Sequence, residues 1–219
     1  MRGAGQPGLG KAGRCWQRRC VTDGTRKEGF REEMDSIINV LSNKLLVDIT
    51  VLGYSYVEHD IRPNSKHPEV SYFQPNLQNL YLNFDDCYIR CSSIEQSALL
   101  KMLVIDDLAY DFVKGDNDVY SSSSLLDYFL PYGESGVKVT GIRCNLDQQC
   151  DLRQALVKST ELILSPHLSI FLDPTYIFGI AIGNDTRRKA WEAEQLRLGE
   201  TYEVFEWTSL QPELVVTNL

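Results

Sequence analysis

The sequence has no long apolar run. None approaches the roughly 18 residues needed to cross a bilayer as a helix, which excludes a helical membrane span. The first 33 residues lack the apolar stretch of a secretory signal. Glycine-rich phosphate loops are missing: Gly179 and Gly183 in FGIAIGN have neither the spacing nor the lysine of a nucleotide fingerprint. There is no G-x-S-x-G elbow and no cysteine-protease signature, so nucleophilic catalysis has no recognisable centre. Histidine is scarce, with three in 219 residues, which leaves few imidazoles for a metal or a general base. The six cysteines include no C-x-x-C knuckle. Without a secretory signal they read as free thiols in a reducing cytoplasm. Cys87 and Cys91 lie about 13 Å apart along one strand, too far to bridge.

Positive charge is also in deficit, and unevenly so. Residues 1–33 carry eight Lys/Arg against four Asp/Glu, a charge of +4. Residues 34–219 carry fourteen against twenty-six, a charge of −12. The break at Met34 separates a basic, Gly-rich segment without periodicity from an acidic, apolar-patterned one. Residues 1–33 therefore read as a disordered extension, or as translated sequence upstream of a start at Met34. Residues 34–219 read as one acidic α+β domain, ample for a hydrophobic core. Such a charge disfavours nucleic acid, whose binding depends on neutralising phosphates.

Alternation supplies most of the structure. Residues 34–46, MDSIINVLSNKLL, place Ile37, Val40, Leu41 and Leu45 at helical spacing, which predicts a short helix near 35–45 capped by Asp35 or Ser36. Val47, Ile49 and Val51 alternate with polar residues as a strand. Residues 58–69 are polar and Pro-punctuated, a loop. In NLYLNFDDCYIRC, a turn at Asp85-Asp86 would set Phe84 opposite Cys87, Leu82 opposite Ile89 and Leu80 opposite Cys91, with one face wholly apolar. A second unit, TELILSPHLSIFLD, would pair Leu164 with Leu168 and Leu162 with Ile170. Each hairpin is followed by another apolar run, so the chain holds two similar β units. They are a duplication or, more simply, two meanders that look alike.

Between them, residues 106–124 read as an acidic, Ser-rich connection, with Ser121–Ser124 as flexible loop. VKVTGIRC is a strand with Gly141 as a possible bulge, and DLRQALVK makes one or two helical turns. Residues 186–198 predict a C-terminal helix capped by Asp185 and stopped by Gly199. TYEVFEW alternates like an edge strand. The expected class is α+β, mainly antiparallel.

Candidate sites are weak. His59 and His67, with Glu58, Asp60 and Glu69, are the one cluster of metal-capable residues, but His-x7-His matches no known ligand spacing. No metal or cofactor is expected. Asp106, Asp107, Asp111, Asp116 and Asp118 form an acidic cluster lacking the Gly and distal Glu of a calcium loop. Arg187-Arg188-Lys189 could meet a phosphate, though a solvated helix face is the simpler account. Trp191, Tyr202, Phe205 and Trp207 are interface or core aromatics.

These features lead to an expected function: a non-enzymatic cytoplasmic protein of immunity or regulatory type. Its acidic surface would bind a basic protein partner, with the five aspartates as rim and Tyr202 and Trp207 as anchor. The alternatives are a small enzyme or ligand-binding protein with a loop-borne site, and a homo-oligomeric subunit. The oligomeric state is not fixed by the sequence.

Overall fold

The computed structural model describes residues 32–58, 70–94, 97–110, 118–130, 136–165, 168–176, 179–209 and 211–218. The chain enters through helix α1 (Glu32–Asn43) and the long strand β1 (Leu45–Glu58). Strands β2 (Val70–Pro75), β3 (Asn79–Phe84), β4 (Cys87–Ile94), β5 (Leu99–Ile105), β6 (Val119–Ser124) and β7 (Val137–Lys138) follow. Then come β8 (Gly141–Leu146), β9 (Leu156–Val157), β10 (Ser159–Ser165), β11 (Leu168–Tyr176) and β12 (Gly179–Gly183). Helix α2 (Asp185–Leu198) and strands β13 (Glu203–Thr208) and β14 (Gln211–Asn218) complete it. Strands dominate and the named pairings are antiparallel, so the α+β class with its two helices is as expected. No helix among the described residues is long and apolar enough to cross a membrane.

The strands form an eight-stranded and a six-stranded sheet. In the first, β1 is a spine. Thr50 pairs with Tyr81 of β3 and with Ser124 of β6, and Gly53 pairs with Pro75 of β2 and with Ser121 of β6. A residue has only two lateral neighbours, so β2 and β3 lie end to end along one edge of β1. By the same logic β6 and β7 share the other edge, since Leu46 pairs with both Phe84 and Val137. The second sheet runs β12-β11-β10-β8-β13-β14.

A single core lies between the sheets. It draws Ile49, Leu82, Ile89 and Met102 from the first and Ile142, Leu162, Ile170 and Leu172 from the second. Each is essentially sealed from water, and such burial stabilises by roughly 1.5–3 kcal/mol per large side chain. Helix α1 closes one end, burying Met34, Ile37, Val40 and Leu41. It starts at Glu32, earlier than the sequence implies. Asp35 and Ser36 are therefore inside the first turns and cap nothing, and the Ser36 hydroxyl donates to the Glu32 carbonyl at 2.8 Å. Leu45 belongs to β1 and is 46% exposed.

The first hairpin has the expected register: Phe84 faces Cys87, Leu82 faces Ile89 and Leu80 faces Cys91. The second pairs Leu162 with Ile170 as expected. A bulge then shifts the ladder so that Ser165, not Leu164, meets Leu168. Leu164 is the extra residue of the bulge, without a ladder partner, and its side chain is still buried in the core. The two similar units are the meanders β3-β4-β5 and β10-β11-β12, one in each sheet.

Five local expectations are corrected. Ser121–Ser124 are not loop but part of β6, paired with β1 from Thr50 to Ser55. β13 is not an edge, because it lies between β8 and β14. Gly141 makes no bulge; it stands in register opposite Thr208, and a Cβ there would come within 3.0 Å of the Trp207 carbonyl. Residues 151–158 hold one 3-10 turn, Leu152–Gln154, and then form β9 instead of continuing as helix. Asn184, not Asp185, caps α2, its side chain accepting from the Thr186 amide; Gly199 ends the helix at φ +70°.

Candidate interaction surface

Register decides which β1 side chains share a face. Ile49 and Val51 point into the core, so Thr50, Leu52, Tyr54 and Tyr56 point to the outer face. Directly opposite residues share a face. Tyr120 of β6 stands opposite Tyr54, and Tyr72 of β2 stands opposite Tyr56. The four tyrosines form a row across β6, β1 and β2. Tyr54 and Tyr56 have ring centroids 6.4 Å apart, and Tyr56 and Tyr72 stack at 5.4 Å with planes 21° apart. Tyr72 and Tyr120 are each 40% exposed, and Tyr54 and Tyr56 are half-buried.

A strap leads to this row. After β5 the chain runs from Asp106 to Tyr110 over the outer face of the first sheet. The Tyr81 hydroxyl on β3 donates to the Ala109 carbonyl at 2.8 Å, and Tyr81 and Leu52 are buried. The Tyr110 ring then meets that of Tyr120 at 4.8 Å and stays 40% exposed. Asp106 and Asp107 open the strap and are exposed. Asp118 directly precedes β6 and is half-exposed. Asp118 thus stands at the edge of the tyrosine row, while Asp106 and Asp107 lie at the far end of the strap, next to β5. Asp111 and Asp116 lie outside the described residues, as do His59, Asp60, His67, Glu69 and His167.

The other expected anchor residues are elsewhere. Tyr202 is half-buried, 5.3 Å from Trp191 of α2, and burial first, then Glu192, pushes its phenol above the ordinary value. Trp207 is 5% exposed and belongs to the core, so it fills volume between the sheets rather than offering a ring to a partner. Trp207 lies on β13 of the second sheet and Tyr202 directly precedes that strand, whereas Asp106, Asp107 and Asp118 flank strands of the first. The sequence reading passed over the tyrosine row. Its one local signal is Tyr54-x-Tyr56, an i,i+2 pair that a strand places on one face.

The basic cluster is spent on internal ion pairs. Asp173, 1% exposed, accepts from Arg187 Nε at 3.1 Å and Nη2 at 2.5 Å. Buried Glu161 accepts from Arg143 Nη1 at 2.7 Å and from the Ser169 hydroxyl at 2.7 Å, with Arg188 Nε 3.3 Å away. Arg188 also bridges Asp185 and Glu192. Lys189 first, and Arg188 with it, holds the Asp185 carboxyl below its usual range. Arg187 and Arg188 pin α2 onto β11 and β10, while Lys189 pairs with Asp185 within the helix and stays on its solvated face.

A cleft of about 750 Å³ opens beneath the C-terminal end of α2, lined among others by Asp147, Lys158, Glu200, Tyr202 and Glu203. Lys158, only 8% exposed, bonds Glu200 and lies 3.7 Å from Asp147. Beside it, burial pushes the Cys150 thiol up to about 11, which removes it as a neutral-pH nucleophile. Among the described residues no three His, Cys, Asp or Glu side chains gather as a metal site. The chain matches no protein-family model, no curated protein and no solved structure.

Proposed function

We propose that this is a non-enzymatic binding protein whose acidic domain engages a basic protein partner, in the manner of an immunity or regulatory protein. The observation that carries the reading is the tyrosine row with Asp118 at its edge, on residues 34–219 that carry a charge of −12. Aromatic rings supply large, rigid contact area, and the charges around them steer a cationic partner and reject others. The reading shifts the anchor from Tyr202 and Trp207 to Tyr54, Tyr56, Tyr72, Tyr110 and Tyr120. It places the protein in the cytoplasm, where thiols such as the free Cys87, Cys91 and Cys144 persist unpaired. Nucleic acid and membrane are not its partners.

The test is capture from the native cell at low salt, repeated at high salt. A basic protein should be retained at low salt and lost from the Asp106→Asn/Asp107→Asn variant. Capture of no basic protein, or robust turnover of a small molecule by the purified chain, would overturn the proposal.

A second reading rests on the Lys158 cleft, whose volume suits a small ligand. Its carboxylates outnumber its lysine, so an organic amine is the fitting class. Calorimetry with a panel of amines, set against a Glu200→Gln variant, tests it; no saturable heat with any amine would exclude that class.

A further inference from the structure

We infer that α2 is a displaceable cover: it opens from the second sheet while both sheets stay folded, and the face beneath it then takes a cationic segment of the partner in place of Arg187 and Arg188. The inference rests on the proposed reading for the partner's charge and adds a second place of contact.

Three observations carry it. The first is how little apolar burial holds α2 down. Of its fourteen residues only Trp191 and Gln195 are buried. Among the described residues, Trp191 Nε1 and Gln195 Oε1 have no hydrogen-bond partner, so the docked position leaves two buried polar atoms unsatisfied. The two leucines of the helix, Leu196 and Leu198, are 81% and 54% exposed. An element with few buried apolar contacts is the kind that opens at a lower free energy than global unfolding requires. The second is the chemistry of the covered face. Glu161 of β10 and Phe171 of β11 stand directly opposite one another, and Asp173 follows two residues on, so all three share the outer face of the sheet. Trp191 meets the Phe171 ring at 5.8 Å, while Arg188 and Arg187 reach the two carboxylates. The face is therefore a ring with two neighbouring carboxylates, and guanidinium groups already sit on it; a basic partner would supply the same groups. The third is that neither side depends on the other for its own hydrogen bonds. Glu161 keeps Arg143 and the Ser169 hydroxyl, and Asp173 keeps the Thr175 amide at 2.9 Å. The helix keeps its Asn184 cap, its Gly199 end and its internal pairs Asp185–Lys189 and Glu194–Arg197. Separation strands no buried charge and releases a helix that is capped at both ends.

The experiment is hydrogen exchange of the full chain at low salt, read by mass spectrometry, with and without a labelled peptide of alternating arginine and serine whose binding is followed by fluorescence anisotropy. Without peptide, the α2 amides should exchange about tenfold or more faster than those of β8 and β10. Bound peptide should speed α2 exchange further and leave β8 and β10 unchanged, because it holds the open form. Arg187→Gln/Arg188→Gln removes the resident cations and should tighten peptide binding by about tenfold, since the internal competitor is gone. Lys189→Gln/Arg197→Gln makes the same change of net charge at cations paired only within the helix, and should alter binding by less than about twofold. Far-ultraviolet circular dichroism shows whether each variant is folded, and Arg188→Gln alone serves if the first double variant is not. Exchange of α2 in step with β8 overturns the inference, because the helix would then open only when the sheets do. Peptide binding that leaves α2 exchange unchanged also overturns it and leaves the basic-partner reading standing. Equal tightening by the two double variants overturns it as well, since net charge alone would account for the effect. No binding of the peptide at low salt overturns both the inference and the basic-partner reading.

Discussion

Replacing Gly179 by alanine should be among the most damaging single-methyl additions in the molecule, and the reason can be worked out atom by atom. Gly179 opens β12 at φ +124°, a conformation that side chains rarely adopt. A Cβ built there would lie 2.2 Å from the Leu77 carbonyl oxygen and 2.8 Å from the Gln78 amide nitrogen. Both are backbone atoms, so no rotamer change relieves the clash. The adjacent Ile180 amide donates to that same Leu77 carbonyl at 2.8 Å, joining an edge of the second sheet to the turn that leads into β3 of the first. Backbone strain costs roughly 1–3 kcal/mol, and forcing the backbones apart adds about 1–3 kcal/mol. The stiffer unfolded chain returns about 0.4–1 kcal/mol. The net loss is roughly 2–5 kcal/mol, a large part of the ~5–15 kcal/mol that holds a domain together. Gly199→Ala is the internal control. Gly199 also has a positive φ, +70°, but nothing lies within 4 Å of its Cβ position, so only the conformational cost of about 1 kcal/mol remains. Urea unfolding measures both. With a slope of about 2 kcal/mol per molar, Gly179→Ala should lower the midpoint by roughly 1–2.5 M and Gly199→Ala by about 0.5 M. Equal shifts for the two variants would refute the argument, because the contact with Leu77 would then contribute nothing.

Leu82→Ala and Ile89→Ala remove opposed residues that are 1% and 0% exposed; each should cost about 2–5 kcal/mol in the same assay, and near-zero effects at both would disprove the register. Arg187→Met strips the buried Asp173 of its cation, an expected loss of about 2–4 kcal/mol given that Arg187 itself is partly exposed; Arg187→Met/Asp173→Asn should recover much of it, and a double variant no better than the single would show that the pair is not coupled. Burial raises the Cys91 thiol and pushes Cys144 up to about 12, against an ordinary value of 9.0. The folded form holds these protons more tightly than the unfolded chain does, so their stabilisation is complete below pH ~9 and is lost as pH climbs from there toward 12. The alkaline fall in urea midpoint should be shallower in Cys91→Ala/Cys144→Ala; identical slopes in the two proteins would remove the thiols as its cause.

What could be read from the sequence was whatever depends on neighbours in the chain. The Asp85-Asp86 hairpin was legible because its partners are adjacent and Leu80, Leu82, Phe84, Cys87, Ile89 and Cys91 alternate without a break. α2 was legible for the same reason, its stop fixed by Gly199. The bulge beside Leu164 was not, since alternation continues through it and only the core decides which residue is skipped. Ser121–Ser124 gave no strand signal, because serine has neither the branching nor the apolar side chain that marks one; β1 recruits them across a long stretch of chain. The same distance hid the partners of Arg187 and Arg188, Asp173 and Glu161, which look like ordinary surface acids until β10 and β11 carry them beneath α2. At the candidate surface, the aspartates could be picked out by composition. The tyrosine rings could not, because Tyr54, Tyr56, Tyr72, Tyr110 and Tyr120 come from four separate segments that only the ladder brings together.

The spine position of β1 also constrains the time course of folding. One edge of it is filled by β2 and β3, which follow within the next stretch of chain, but the other waits for β6 and β7, so Leu46 must find Val137 before the sheet is complete. Contacts so distant in sequence carry a loop-closure cost before they return any stabilisation, which slows folding. The β3-β4-β5 meander, closed by short turns, is the natural early structure, with β1 laid against it as a half-paired strand. During synthesis that strand exposes a bare ladder edge until residues 119–138 leave the ribosome. An exposed edge of this kind is the hazard that promotes chain-to-chain pairing, so the yield of native protein should depend more on how quickly β6 arrives than on the final stability of the fold.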